Sequence, residues 1–336
     1  ARQCLEALDG DTRFYTSGHA AKDIEAVRIA LGYDQVNLYG ISYGTRLAQV
    51  YLRRYPEPVR SVVLDGVVPT DLLLGTEHAI NLESTLEHLF GRCEESAACA
   101  TAFPDVLSSY QEVRDEVRET PVPLVVELPL SGERLEIEMN GDVLALVLRL
   151  LAYAPETQAL LPLLVHEAAI SGDYNRLAGM AMMVLESLQD TIYRGLESSV
   201  MCAEDVPHFP RTPQHPQTLM GDYLLEVSRQ HCAHWPVGEV PADFHTVFTS
   251  EVPALLLSGE FDPVTPPGYG ERALQQYPRG RHLVAAGQGH GVAGRGCLPR
   301  LLADFYRDAS AENLDVTCLE ALGDTPFFTT LLGSDP

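Results

Sequence analysis

Positive charge is scarce in this chain. Its 336 residues carry 23 Lys and Arg against 47 Asp and Glu, a formal net charge of -24. Binding nucleic acid or an anionic membrane surface needs clustered cations that neutralise phosphates, so neither is expected as a partner. A cationic ligand or a free amino group is favoured, although solubility alone also accounts for an acidic surface. Long apolar runs are missing as well. No stretch reaches the roughly 18 residues of a membrane helix, and the richest one, 143–154, is broken by Arg149 and reads as a buried or amphipathic helix. The Cys-x-x-Cys spacing of zinc sites is absent, so no metal is expected. Internal repeats and low-complexity tracts are absent too.

The chain holds 7 cysteines. Their spacing suggests the pairs Cys93 with Cys99, Cys202 with Cys232, and Cys297 with Cys318, leaving Cys4 over; sequence alone does not fix connectivity. Paired cysteines belong to oxidising compartments. The first residue is Ala1, and no basic-plus-apolar leader follows it, so any export signal has been removed or lies outside this sequence.

The length suits one large domain with an insertion, or two domains. Apolar positions at helical spacing predict a helix over 20–31, stopped by Gly32. A short strand over 36–39, a glycine-bounded turn, a helix over 45–55 ended by Pro56, and a strand over 61–64 follow. This strand–helix–strand order implies a parallel sheet. From 69 to 249 helical patterns dominate: 77–90, 106–118, 141–154, 157–171 and 174–187. The segment 121–140 reads as a hairpin, and 207–216, with four prolines, as an exposed loop. The strand–helix rhythm returns with a strand over 254–258, a helix over 268–277, a strand over 282–286 and a helix over 298–306. The expected organisation is therefore a sheet domain split into 1–68 and 250–336 around a largely helical insertion at 69–249.

Gly40-Ile41-Ser42-Tyr43-Gly44 matches the Gly-x-Ser-x-Gly nucleophile elbow. There a serine sits in a strained turn between strand and helix, and a side chain at either glycine is expected to collide with its surroundings. Ser42 is the candidate nucleophile, and the Tyr43 amide would point at the developing oxyanion. A serine hydroxyl needs a base, and in elbow hydrolases the order is Ser, acid, His. Asp262 follows the strand at 254–258, where catalytic groups of parallel sheets gather. The competing reading is a turn-initiating Asp before Pro263. Asp65, which also ends a strand, and Glu260 are rival acids. His290, in Gly287-Gln288-Gly289-His290-Gly291, follows the strand at 282–286; the alternative is a surface-loop histidine. Three candidates after three strands in the required order point to a serine hydrolase.

The segments Asn37-Leu38-Tyr39-Gly40-Ile41-Ser42-Tyr43-Gly44-Thr45-Arg46 and Val63-Leu64-Asp65-Gly66-Val67-Val68-Pro69 carry a resemblance, as do those around Asp262 and His290. So do Met201-Cys202-Ala203-Glu204-Asp205 and Cys232-Ala233-His234-Trp235-Pro236. Together they resemble the tripeptidyl-aminopeptidase-like branch of the α/β-hydrolases, related to proline iminopeptidases. The resemblance covers most of the chain and thins over roughly 120–200. It implies an α/β-hydrolase fold with a mostly parallel sheet and a helical cap, and a Ser42–Asp262–His290 triad. It also implies no cofactor, and release of short peptides or single residues from free N-termini, outside the cytoplasm. With the cysteine usage, this makes a secreted or periplasmic enzyme the expectation. The family's upstream His-Gly-Gly-type loop, source of a second oxyanion donor, has no counterpart in 1–20, and losing such a donor costs about a hundred- to a thousandfold in rate. That difference, with the leftover Cys4, leads to the expectation of an N-terminally shortened form lacking the first strands.

An enzyme acting on peptide N-termini must hold an ammonium group. Glu204 and Asp205, held near Trp235 if Cys202 bonds Cys232, are the candidates; a solvated acidic pair is the competing reading. The expected partner is a peptide or a small ester. Two alternatives stand beside the exopeptidase: a carboxylesterase with the same triad, and a catalytically impaired fragment or binding protein that keeps the fold without the chemistry.

Overall fold

The computed structural model describes residues 1–128, 131–189 and 192–334. The chain divides into two compact units. One comprises Ala1–Thr76, Tyr193–Arg211 and Leu225–Gly323; the other comprises Glu77–Ile192, Thr212–Leu224 and Asp324–Pro336.

The strands, in chain order, are β1 (Val36–Ile41), β2 (Val59–Asp65), β3 (Val122–Glu127), β4 (Arg134–Met139), β5 (Ala254–Gly259) and β6 (Gly280–Ala285). The first unit is built on a four-stranded sheet of order β1-β2-β5-β6. Every pairing in it is parallel, as the strand–helix–strand rhythm requires. The central strands are the most apolar. All six residues of β5 are buried, as are all but Arg60 of β2. Alternate residues feed opposite faces. Val62, Leu64 and Leu256 pack with Tyr51, Leu52 and Tyr277. Val63, Leu255 and Leu257 pack with Leu283, Leu301 and Phe305 on the other face. Each fully buried aliphatic side chain contributes about 1.5–3 kcal/mol. β1 is an edge strand that leaves Tyr39 and Ile41 exposed.

Helix Ser17–Ala30 precedes β1, Tyr43–Arg54 connects β1 to β2, Pro267–Leu274 connects β5 to β6, and Leu298–Asp308 follows β6. The first ends where Gly32 adopts φ 71°, a left-handed conformation that costs glycine little.

The second unit packs helices His78–Glu95, Val106–Glu119, Gly141–Leu151, Leu161–Ser171 and Asn175–Gln189 around its own core, which includes Leu82, Phe90, Tyr110 and Leu148. The antiparallel hairpin β3–β4 belongs to it. The helix predicted over 157–171 is divided into Pro155–Gln158 and Leu161–Ser171, because Pro162 favours a helix's first turn over its interior.

The boundaries differ from the expected insertion at 69–249. Segments 193–211 and 225–249 pack with the sheet unit, and 324–334 packs with the helical one. Side-chain bonds that hydropathy does not reveal cause this. The Cys202–Cys232 disulfide joins the two returning segments, and the Arg46–Asp205 ion pair ties the first to the sheet unit. The ion pair of Arg92 with Asp324, and Phe327 in the helical core, hold the C-terminal segment. Cys93–Cys99 and Cys297–Cys318 are bonded as the spacing suggested, and Cys4 is free. Among the described residues no helix is long and apolar enough to cross a membrane.

Candidate active site

Ser42 stands between β1 and helix Tyr43–Arg54 with φ 54° and ψ -123°. A non-glycine residue there costs on the order of 1–3 kcal/mol and persists only where its surroundings over-determine it. Here they do. The Ser42 amide donates to the Asp65 carbonyl at 2.8 Å, and the Ser42 carbonyl accepts from the Thr45 amide at 2.9 Å and the Thr45 hydroxyl at 2.7 Å.

The two elbow glycines are unequal, contrary to the expectation that both exclude a side chain. A Cβ at Gly40 would lie 2.2 Å from the Gly44 carbonyl oxygen and 2.8 Å from the Thr45 nitrogen, both backbone atoms that cannot rotate away. A Cβ at Gly44 meets nothing within 4 Å. Gly44 also lies inside a helix, where alanine is favoured by about 1 kcal/mol. Gly44→Ala is therefore expected to raise the melting temperature slightly and Gly40→Ala to lower it sharply. Thermal melts of the two variants check this; equal effects would remove the steric argument.

Asp262, in the loop after β5, is fully engaged. Its Oδ1 accepts from the Val264 and Thr265 amides, each at 2.8 Å. Its Oδ2 accepts from the Thr265 hydroxyl at 2.8 Å and faces His290 Nδ1 at 2.8 Å. A buried carboxylate facing Nδ1 places the ring proton there, leaving the Nε2 lone pair to accept a proton. The loop after β6 carries His290 and is drawn close to the strand ends. A Cβ at Gly259 would lie 1.9 Å from the Gly289 oxygen, and one at Gly66 would lie 3.1 Å from His290 Cε1. One at Gly291 would lie 2.8 Å from Ile41, the residue before Ser42. The carboxyl ends of β1, β2 and β5 thus converge on the loop that carries His290. As the first helical residue, Tyr43 has an amide with no acceptor inside its helix, at the end where the helix dipole favours an anion.

The structure does not offer Glu204, Asp205 and Trp235 to a substrate. Asp205 is fully buried in an ion pair with Arg46 at 2.8 Å, and also accepts from the Leu74 amide at 2.9 Å. Glu204 is also fully buried; it accepts from the Ser17 amide at 2.6 Å and the Ser17 hydroxyl at 2.8 Å. Ser17 Oγ in turn lies 2.8 Å from the Tyr43 hydroxyl. Trp235 donates its indole N–H to Ser199 at 3.1 Å and stacks on His231. Sequence reasoning missed the Glu204–Ser17–Tyr43 network because Ser17 lies far from both partners along the chain. Arg46, within the quoted elbow segment, was the available signal for the ion pair.

Burial raises the Glu204 carboxyl from its ordinary 4.5 to about 7, against the bonds from Ser17 that lower it. The folded state thus binds a proton more readily than the unfolded chain. Its stability should fall as pH rises from about 4.5 towards 7. Glu204→Gln removes the charge and keeps an acceptor for the Ser17 amide. Its melting temperature should exceed that of the wild type at pH 8, with the gap closing near pH 5; melts at both pH values check this.

A concavity of about 450 Å³ lies at the opposite end of the sheet, between Leu52, Val59, Phe248 and Pro253.

The model of the alpha/beta hydrolase fold family matches residues 8–92, and that of the TAP-like protein family matches 216–318. The chain is 23% identical to serine protease Hip1 of Mycobacterium tuberculosis over 83% of its own length and 56% of the relative. It is 24% identical to tripeptidyl aminopeptidase of Streptomyces coelicolor, over 95% of its length and 60% of the relative. It is 31% identical to the putative hydrolase YuaR of Escherichia coli over 42% of its length and 28% of that protein. The chain thus spans little more than half the length of the first two of these relatives.

Proposed function

Since the chain belongs to the α/β-hydrolase fold family, in its TAP-like branch, we propose that it is a serine exopeptidase that releases short peptides or single residues from free peptide N-termini. The observation that carries this reading is a positive-φ Ser42 together with an Asp262–His290 pair whose carboxylate is buried, all three in the turns and loops that follow strands of one parallel sheet. The relatives named serine protease and tripeptidyl aminopeptidase support the peptide substrate. Three disulfides fit an oxidising environment, and a secreted or periplasmic location is part of the proposal.

The chemistry is acyl transfer in two steps. His290 Nε2 takes the proton of Ser42 as the hydroxyl oxygen attacks the scissile carbonyl. Asp262 holds the imidazole in the required tautomer and stabilises its cation. The Tyr43 amide donates to the oxyanion. Collapse of the tetrahedral intermediate breaks the C–N bond, and His290 protonates the leaving amine. Water, deprotonated by His290, then attacks the acyl ester and frees Ser42.

Hydrolysis of aminoacyl- and tripeptidyl-anilides beside a short-chain aryl ester tests the reading, with Ser42→Ala as control and a fluorophosphonate to label the serine. Cleavage of free-amine peptides that vanishes in the control supports the exopeptidase. Ester cleavage alone moves the assignment to a carboxylesterase. Failure of Ser42 to label points to a protein that keeps the fold without the reaction.

A further inference from the structure

Asp65 closes β2, between the serine turn and the histidine loop, and the acyl-transfer steps do not use it. It is fully buried. Its main-chain oxygen accepts from the Ser42 amide at 2.8 Å. Its carboxylate accepts from the Val292 amide at 2.9 and 3.1 Å and from the Ala293 amide at 2.9 Å. The Tyr39 hydroxyl, from β1, donates to it at 3.1 Å. One residue therefore grips the backbone of the nucleophile and, through its side chain, the backbone just beyond His290.

We propose that Asp65 is a positioning residue for the hydrolysis, fixing the loop that carries His290 in place relative to Ser42. This rests on the reading of Ser42, Asp262 and His290 as a triad. The loop needs such a hold. It turns through glycines of positive φ at Gly287 and Gly291, and glycine leaves a chain its greatest freedom. Asp262 restrains the ring through Nδ1 alone, whereas Asp65 restrains the main chain on the far side of Gly291. A displacement of about 1 Å in a catalytic group costs about a hundredfold in rate, so a second anchor has a measurable consequence.

The chemistry of the anchor calls for a carboxylate. Both its oxygens receive donors, so an asparagine in either orientation would turn its NH2 group against a donated N–H. Burial raises the Asp65 carboxyl above its ordinary value, opposed by the two amides and the tyrosine hydroxyl.

The test is Asp65→Asn, assayed well below its melting temperature. The expected result is a kcat lower by about 10- to 100-fold with KM changed less than about twofold. Fluorophosphonate labelling of Ser42 should slow in proportion. The proton resonance of His290 Nδ1, a signature that global stability does not move, should shift or broaden. A folded variant with unchanged kcat and resonance overturns the proposal. If the variant does not fold, hydrogen exchange in the wild-type chain decides. The Val292 and Ala293 amides should exchange as slowly as the β5 amides, and fast exchange overturns the proposal. Wild-type Ser42 that does not label would instead overturn the triad reading, which the exchange experiment does not touch.

Discussion

Asp262→Asn is expected to lower kcat by about 10⁴ while leaving the chain folded. The reason lies in how the carboxylate is held. Oδ1 accepts two main-chain amides, from Val264 and Thr265, so an asparagine must place its own oxygen there. Its NH2 group then faces His290 Nδ1 and donates to it. The imidazole is driven into the opposite tautomer, with its proton on Nε2, and cannot accept the proton of Ser42. Most of the native hydrogen bonds survive, so the loss falls on the reaction rather than on the fold. Steady-state kinetics beside a thermal melt check both halves. A variant within about tenfold of the wild type would mean that His290 is not the base or that another group orients it.

Asp205→Ala is the largest expected loss of stability. The substitution strands the Arg46 guanidinium, which is only 2% exposed, and removes the acceptor of the Leu74 amide. Breaking one side of a buried ion pair costs about 3–5 kcal/mol, which lowers the melting temperature by on the order of 10 °C. Replacing both partners by apolar residues, Arg46→Met with Asp205→Leu, should recover most of that loss, because no charge is left buried. Denaturant unfolding of the single and double variants measures it. A mild single variant, or a double variant no better than the single, would show that the pair is not the anchor of segment 193–211.

The triad candidates were legible because each lies just after a strand, and strands announce themselves as short apolar runs. The four parallel strands and the helices between them followed from periodicity for the same reason. Gly40 was legible as a steric requirement, but Gly44 was not distinguishable from it, since only the folded chain brings backbone against one glycine and leaves the other open. Asp65 entered as a rival acid on the ground that it ends a strand; its amide contacts lie 227 and 228 residues away in sequence.

By itself the sequence determined the parallel sheet, the elbow and the order of Ser42, Asp262 and His290, and it suggested the three cysteine pairs that the structure bonds. Each is written in local pattern: hydropathy period, glycine placement and spacing. Only the tertiary structure decided the fate of the acidic pair and the edges of the units. Glu204 and Asp205 are adjacent in the chain, yet one is bonded to Ser17 and the other to Arg46, both buried. A carboxylate's role depends on the donors that surround it, and those donors arrive from distant segments that no local pattern ties together.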